Sequence, residues 1–209
     1  MQRQKNNKVE IIWGIRHLYE VQRYLIQLCL TGKLQAESQE MKKVISKITN
    51  QAGEDFNNKI ADWFEQDSTL IVHRKVEKIG EIKIEEEKGK LLGDIDVLVA
   101  DPGNLSIKII ECKNFSMARA PHKMKNELDN LFIGKGKGKS RKKPAIEHHQ
   151  ERVKWVNNHL QKVLTWLSLD PNLNWKVEAI IVTDEELSTP HLKSSPIPVI
   201  SWVELCQTR

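Results

Sequence analysis

Three charged residues stand inside runs that are otherwise apolar. Asp96 belongs to Gly93-Asp94-Ile95-Asp96-Val97-Leu98, and Glu111 and Lys113 belong to Ile109-Ile110-Glu111-Cys112-Lys113-Asn114. Alternate side chains of a strand share a face, so Glu111 and Lys113 point one way and Cys112 the other. The intervening Asp101-Pro102-Gly103-Asn104 has turn chemistry, which makes the two runs a hairpin and sets Asp96 beside the other two. Buried charges need compensation from one another, from a metal ion or from water. Two carboxylates form a hard oxygen site suited to Mg²⁺. Such an ion polarises a phosphoryl oxygen and acidifies a bound water. A neighbouring ammonium orients that water and offsets negative charge as it develops. The backbone carbonyl of Cys112 offers a further oxygen ligand. The plainer reading is a structural ion pair at a strand end. A poised acid–base cluster within apolar strands favours a functional site.

The charge layout points to a polyanion. The net charge of +5 hides alternating blocks. Residues 1–53 carry nine basic and four acidic side chains, and residues 54–115 carry nine and fourteen. Residues 116–165 carry twelve and four, and residues 166–209 three and six. An acidic middle between basic flanks suits carboxylates that gather cations and lysines that hold phosphates. The densest basic stretch is Gly134-Lys135-Gly136-Lys137-Gly138-Lys139-Ser140-Arg141-Lys142-Lys143. Its glycines and like charges make ordering costly, so it is expected to be mobile without a ligand. Lys135, Lys137, Lys139, Arg141, Lys142 and Lys143 are the expected phosphate contacts.

The elements that must position these groups follow from periodicity. The first 50 or so residues read as helices, with Ile11, Ile15, Leu18, Val21, Leu25 and Leu28 at helical steps. Thr31-Gly32 reads as a stop, a second helix spans about 35–49, and Gly53 opens a third with Phe56, Ile60, Trp63 and Phe64. The period then changes. Strands are expected at 71–84, with a bend at Gly80, at 93–100 and at 105–113. Residues 117–144 read as a long polar connection. A helix follows from about Ile146, with Val153, Val156, Leu160, Val163, Leu164 and Leu167, and Pro171 closes it. Strands are expected at 177–183 and 199–202. This predicts an α/β chain divided into an N-terminal helical extension at 1–50 and a second domain at 51–209.

Asp96 followed by Glu111-Cys112-Lys113 resembles the D…(D/E)xK motif of the PD-(D/E)xK, restriction-endonuclease-like nucleases, in the E-x-K-N form of the NERD and Mrr-like branch. The resemblance covers about residues 53–183. It implies an α-β-β-β-α-β core with a mixed central sheet flanked by helices. It also implies Mg²⁺ as cofactor, with Mn²⁺ as a substitute, held by Asp96, Glu111 and the Cys112 carbonyl. Asp94 and Asp96 share a face of a regular strand, and the family pattern selects Asp96. Lys113 would position the attacking water. Glu54, opening a helix, is similar to the helix-borne Glu of many members, and Gln150 to a Gln often found near the site. In members with G-x-x-F-E the Glu follows Phe, whereas here Asn57 follows Phe56, so Glu54 becomes the candidate.

The expected activity is metal-dependent hydrolysis of phosphodiester bonds, as a DNA endonuclease. The alternative is a catalytically silent nucleic-acid-binding or assembly module on the same fold. Double-strand cutting favours a homodimer, and residues 1–50 suit a junction to an upstream sensor, helicase or partner. A role in defence against foreign DNA would fit the family. Gly138-Lys139-Ser140 is not a P-loop, because Ile133 stands where the first glycine is needed. His148-His149 lacks companions at zinc spacing. Trp155, Trp166, Trp175 and Trp202 read as packing residues. Three widely spaced cysteines, Cys29, Cys112 and Cys206, fit no disulfide framework and suit a reducing, cytoplasmic setting. No apolar run reaches the roughly 18 residues of a membrane span.

Overall fold

The computed structural model describes residues 2–5, 8–11, 14–86, 89–115, 121–136 and 141–208. The chain divides into two compact units, Met1–Ala52 and Gly53–Arg209. In the first, β1 (Gln2–Lys5) and β2 (Lys8–Ile11) pair as an antiparallel hairpin. Helix α1 (Ile15–Leu30) follows. Ile11, expected on the first helix, thus lies on a strand. Helix α2 (Gln39–Glu65) runs without interruption through Gly53, where two helices were expected. Gly53 fails to stop it because one helical glycine costs only about 1 kcal/mol.

The second unit is an α/β fold with a five-stranded mixed sheet flanked by helices. Strand β3 (Ile71–Val76) leads into a small hairpin, β4 (Lys78–Ile79) and β5 (Ile82–Lys83), turning at Gly80 with φ +58°. The bend expected at Gly80 is therefore the tip of a separate two-stranded ribbon. Strands β6 (Ile95–Asp101) and β7 (Ser106–Lys113) form the expected hairpin, and β8 (Lys176–Thr183) and β9 (Val199–Ser201) complete the sheet. The order is β3-β6-β7-β8-β9, antiparallel through β7 and parallel thereafter.

Alternation along β6 builds both cores. Leu98 and Ala100, with Ile107 and Ile109 of β7, pack against Trp155, Val156, Val163 and Leu164. Those residues come from α4 (Ala145–Asn158) and α5 (Leu160–Trp166), which break at His159 where one helix was expected. Val97 and Val99, with Ile110 and Cys112, pack against Phe56, Ile60, Ala61 and Phe64 of α2. Most of these side chains are fully buried, and each Val, Leu or Ile among them contributes about 1.5–3 kcal/mol of transfer free energy.

The long polar connection expected at 117–144 contains helix α3 (Pro121–Leu128) and a π-helical turn (Asp129–Ile133). Its apolar signal is masked because α3's buried position is a carboxylate. Glu127 accepts from the Thr189 hydroxyl and backbone N–H at the start of a short helix, α6 (Thr189–Leu192). A last helix, α7 (Trp202–Cys206), carries a capping box between Ser201 and Glu204.

Candidate active site

The site forms where β6 begins and β7 ends. The β6–β7 ladder stops at the pair Val97 and Ile110, so beyond it Cys112 has no backbone partner on β6. Asp96 supplies one: the Cys112 N–H donates to Asp96 Oδ2 at 2.7 Å. The N–H and C=O of one strand residue point to the same side. The Cys112 carbonyl therefore faces the edge that β6 has left. Asn57 Nδ2 of α2 donates to Asp96 Oδ1 at 3.1 Å.

Glu111 is 4% exposed and holds two cations. Lys113 Nζ lies 2.6 Å from Glu111 Oε1, and Arg152 Nη1 of α4 donates to Glu111 Oε2. Arg152 Nε also donates to the Leu92 carbonyl at 3.0 Å. Beneath it, buried His149 meets the Ile109 carbonyl through Nε2 at 3.2 Å. Gly93 takes φ +82°, and a Cβ there would stand 3.1 Å from Arg152 Nη2. This glycine serves both a left-handed turn and the close approach of the guanidinium.

These surroundings separate the two carboxylates electrically. Burial and the Glu111 charge push Asp96 up to about 6, against the opposing Cys112 N–H and Lys113. Burial also acts to raise Glu111, but Lys113 and Arg152 outweigh it and leave its pKa below the ordinary value. Burial acts to lower Lys113, and Glu111 overcomes this and raises it. Lys113 is thus a stable cation at neutral pH, while Asp96 holds a proton more readily than an ordinary aspartate. Burial raises the Cys112 thiol, making it a packing residue.

Glu111 and Lys113 open on a cleft of about 380 Å³ whose walls include Asn114, Lys135, Lys142 and His148. The basic stretch reaches it as the stem of a hairpin, in which Lys135 and Lys142 exchange backbone hydrogen bonds of 3.0 and 2.7 Å. Gly134 (φ +86°) permits this approach: a Cβ there would lie 2.5 Å from the Lys142 carbonyl. The flanking cations have partners. Arg141 donates to the Ile133 carbonyl at 2.8 Å and to Glu147 at 2.9 Å. Lys143 pairs with Glu86 at 3.2 Å and with Glu151. Lys137 and Lys139 lie outside the described residues.

The expected helpers are placed otherwise. Gln150 is exposed on α4 and lines a separate groove with Lys108, Val153 and Asn157. Successive residues of a helix are about 100° apart, so the turn that aims His149 and Arg152 at the sheet carries Gln150 away. Glu54 is exposed on α2. Asn57, one turn later, makes the contact with Asp96. Its position after Phe56 in the G-x-x-F pattern was a legible signal. Arg152 also left one, as a charged residue on the buried stripe Ile146, His149, Trp155 and Val156. A third unexpected residue, the carboxylate Asp184, follows β8 and accepts from the Phe115 N–H at 2.6 Å. Burial pushes Asp184 up to about 6.

Among the described residues, no group of three or more His, Cys, Asp or Glu side chains is assembled that could hold a metal ion. Mg²⁺ takes one or two carboxylates and fills its remaining positions with water and phosphate. Asp96, Glu111 and the Cys112 carbonyl would hold it. Each carboxylate oxygen already has one partner and keeps a second lone pair. The chain matches no family model, no curated protein and no solved structure.

Proposed function

We propose that this chain is a Mg²⁺-dependent nuclease, and that α2, β3, β6, β7, α4 and β8 form a restriction-endonuclease-like core. The observation that carries the reading is the Glu111–Lys113 pair on the wall of a cleft bearing Lys135 and Lys142, with Asp96 held on the Cys112 N–H, near enough for the charges of Glu111 and Lys113 to act on it. A bound Mg²⁺, or Mn²⁺ in its place, would supply Lewis acidity toward a phosphoryl oxygen and acidify water. The protein's own groups do the rest. Lys135 and Lys142 seat the phosphate backbone. Lys113 positions the attacking water, and its charge offsets negative charge growing in the transition state. Asn57 and the Cys112 N–H fix the Asp96 carboxylate, and Arg152 fixes that of Glu111.

The proposed substrate is DNA in preference to RNA, cut internally, with a symmetric dimer for double-strand breaks and a cytoplasmic setting. An upstream sensor or helicase partner and a role in defence belong to the same proposal. Among the described residues no helix is long and apolar enough to cross a membrane. The test is supercoiled plasmid with Mg²⁺, with EDTA, and with the variants Asp96→Asn and Lys113→Ala. Nicking that requires Mg²⁺ and falls at least about a hundredfold in both variants is the expected result. Undiminished cleavage by both variants would remove the proposal.

One observation favours the silent-module alternative: both oxygens of Glu111 are already held by cations. That reading requires salt-dependent DNA binding with no metal-dependent turnover in the same assay.

A further inference from the structure

The groove that Gln150 lines runs along a strand edge the sheet leaves open. β8 pairs with β7 along its whole length, but β9 covers only residues 181–183 of it. The Ile181 N–H donates to the Pro198 carbonyl, so the backbone groups of Ile181 face β9. Alternate residues of a strand present their N–H and C=O to the same edge. Those of Val177 and Ala179 therefore face this edge too, where β9 no longer runs. Among the described residues none pairs with them.

The sequence explains why the pairing stops. Continued in register, β9 would bring residue 198 to the Ala179 carbonyl and residue 196 to that of Val177. Both are prolines, which have no N–H to donate. Ile197, between them, is satisfied locally: its N–H donates to Ser195 Oγ, and the Ser195 hydroxyl donates to the Ile197 carbonyl. Pro196 and Pro198 thus border the groove without closing the edge.

The groove measures about 790 Å³, within the usual range of binding cavities. One wall is α4, whose Gln150, Val153, Lys154 and Asn157 stand at helical steps on one face. Lys108 lies 3.9 Å from Glu178, so those two charges offset each other. Lys154 is exposed and has no ion pair among the described residues. An open edge is a template for a further strand. Main-chain hydrogen bonds then supply affinity, and the side chains along the groove supply selectivity.

We propose that the edge of β8 at residues 176–180 binds an extended acidic segment of a partner protein as an added strand. The segment's backbone pairs with Val177 and Ala179, and its carboxylate meets Lys154. Gln150 and Asn157 offer amides to its polar side chains. A second copy of this chain fits less well, because a two-fold contact sets the same Lys154 face against itself. A nucleic acid calls for several cations along its backbone, and here only Lys154 is uncompensated. The groove shares no lining residue with the cleft at Glu111 and Lys113, so the inference stands apart from the nuclease reading.

The probe is a display library of short linear peptides, selected on the immobilised full chain at physiological salt. The best selected peptide is synthesised, and amide exchange is followed by NMR with and without it. In the free chain the Val177 and Ala179 amides should exchange quickly, while those of Glu178 and Ile180, which face β7, are protected. The peptide should slow exchange at Val177 and Ala179 by at least about tenfold. N-methylation of alternate peptide residues should abolish binding in one parity and spare it in the other, since an added strand pairs along one edge. Lys154→Glu should weaken an acidic peptide by at least about fivefold, the upper range for an exposed ion pair. A library that yields no binder, or binders that leave both amides unprotected, overturns the proposal. Equal loss from N-methylation in either parity does the same. Undiminished affinity in Lys154→Glu overturns the acidic partner. Protection that grows with protein concentration without peptide, with doubled mass in sedimentation, overturns it in favour of a second copy. Displacement of the peptide by a single-stranded oligonucleotide overturns it in favour of nucleic acid.

Discussion

Replacing Asp96 with Asn should stabilise the fold at alkaline pH while abolishing the proposed nuclease activity. The carboxyl moves from an ordinary value of 3.8 to about 6 on folding, first because of burial and next because of Glu111. A raised carboxylate pKa means that the folded state prefers the protonated form. Its favourable contribution is complete below the unfolded value and is lost as pH rises through the folded value. The shift of roughly two units, at about 1.4 kcal/mol per unit, makes ionised Asp96 a liability of about 3 kcal/mol near pH 8. Near pH 4 the liability shrinks to about 0.5 kcal/mol. Asn carries no charge, keeps an oxygen for the Cys112 N–H, and can present its amide to Asn57 if that side chain turns over. Urea denaturation in EDTA, at both pH values, measures the difference. A gain in midpoint near pH 8 that fades toward pH 4, with an unchanged slope, is the expected outcome. Equal gains at the two pH values, or a loss near pH 8, would refute the electrostatic account of this carboxyl.

Two further outcomes test the scaffold and the cleft. Gly53→Ala should raise stability by about 0.5–1 kcal/mol in thermal melts, because Gly53 lies inside α2 with nothing within 4 Å of a new Cβ and alanine narrows the unfolded ensemble. Lys135→Gln combined with Lys142→Gln should weaken DNA binding and lower the slope of log affinity against log salt by about two, since each lost phosphate contact removes nearly one unit.

The sheet was legible in the sequence because β-branched runs and the Asp101–Asn104 turn act locally, and so was the pairing of Glu111 with Lys113. Strand parity put Glu111 and Lys113 on one face, and the hairpin ends just before Asp96, which takes the Cys112 N–H. The helical partners were harder to read. Whether Gln150 or Arg152 meets the sheet depends on the rotation of α4 about its axis, which long-range packing of Trp155 and Val156 sets. Glu54 looked apt by charge, but a contact with Asp96 requires the next turn of α2, where Asn57 stands. α3 was hidden because burial of Glu127 depends on Thr189, 62 residues away in sequence.

The electrostatics of Asp96 also bear on the choice between a structural and a functional cluster. A structural ion pair should lower the pKa of its carboxylate and strengthen the fold as pH rises through that value. Glu111 behaves in that way, held down by Lys113 and Arg152. Asp96 does the opposite, with its ionised form opposed by burial and by Glu111. An uncharged residue would serve the fold better at this position, since burying an incompletely compensated charge is unfavourable. What a second carboxylate beside Glu111 does provide is another hard oxygen ligand whose repulsion a dication would relieve. If Asp96→Asn is the more stable protein near pH 8 and the less active one, stability cannot be the reason for an aspartate at position 96, and ligand binding can.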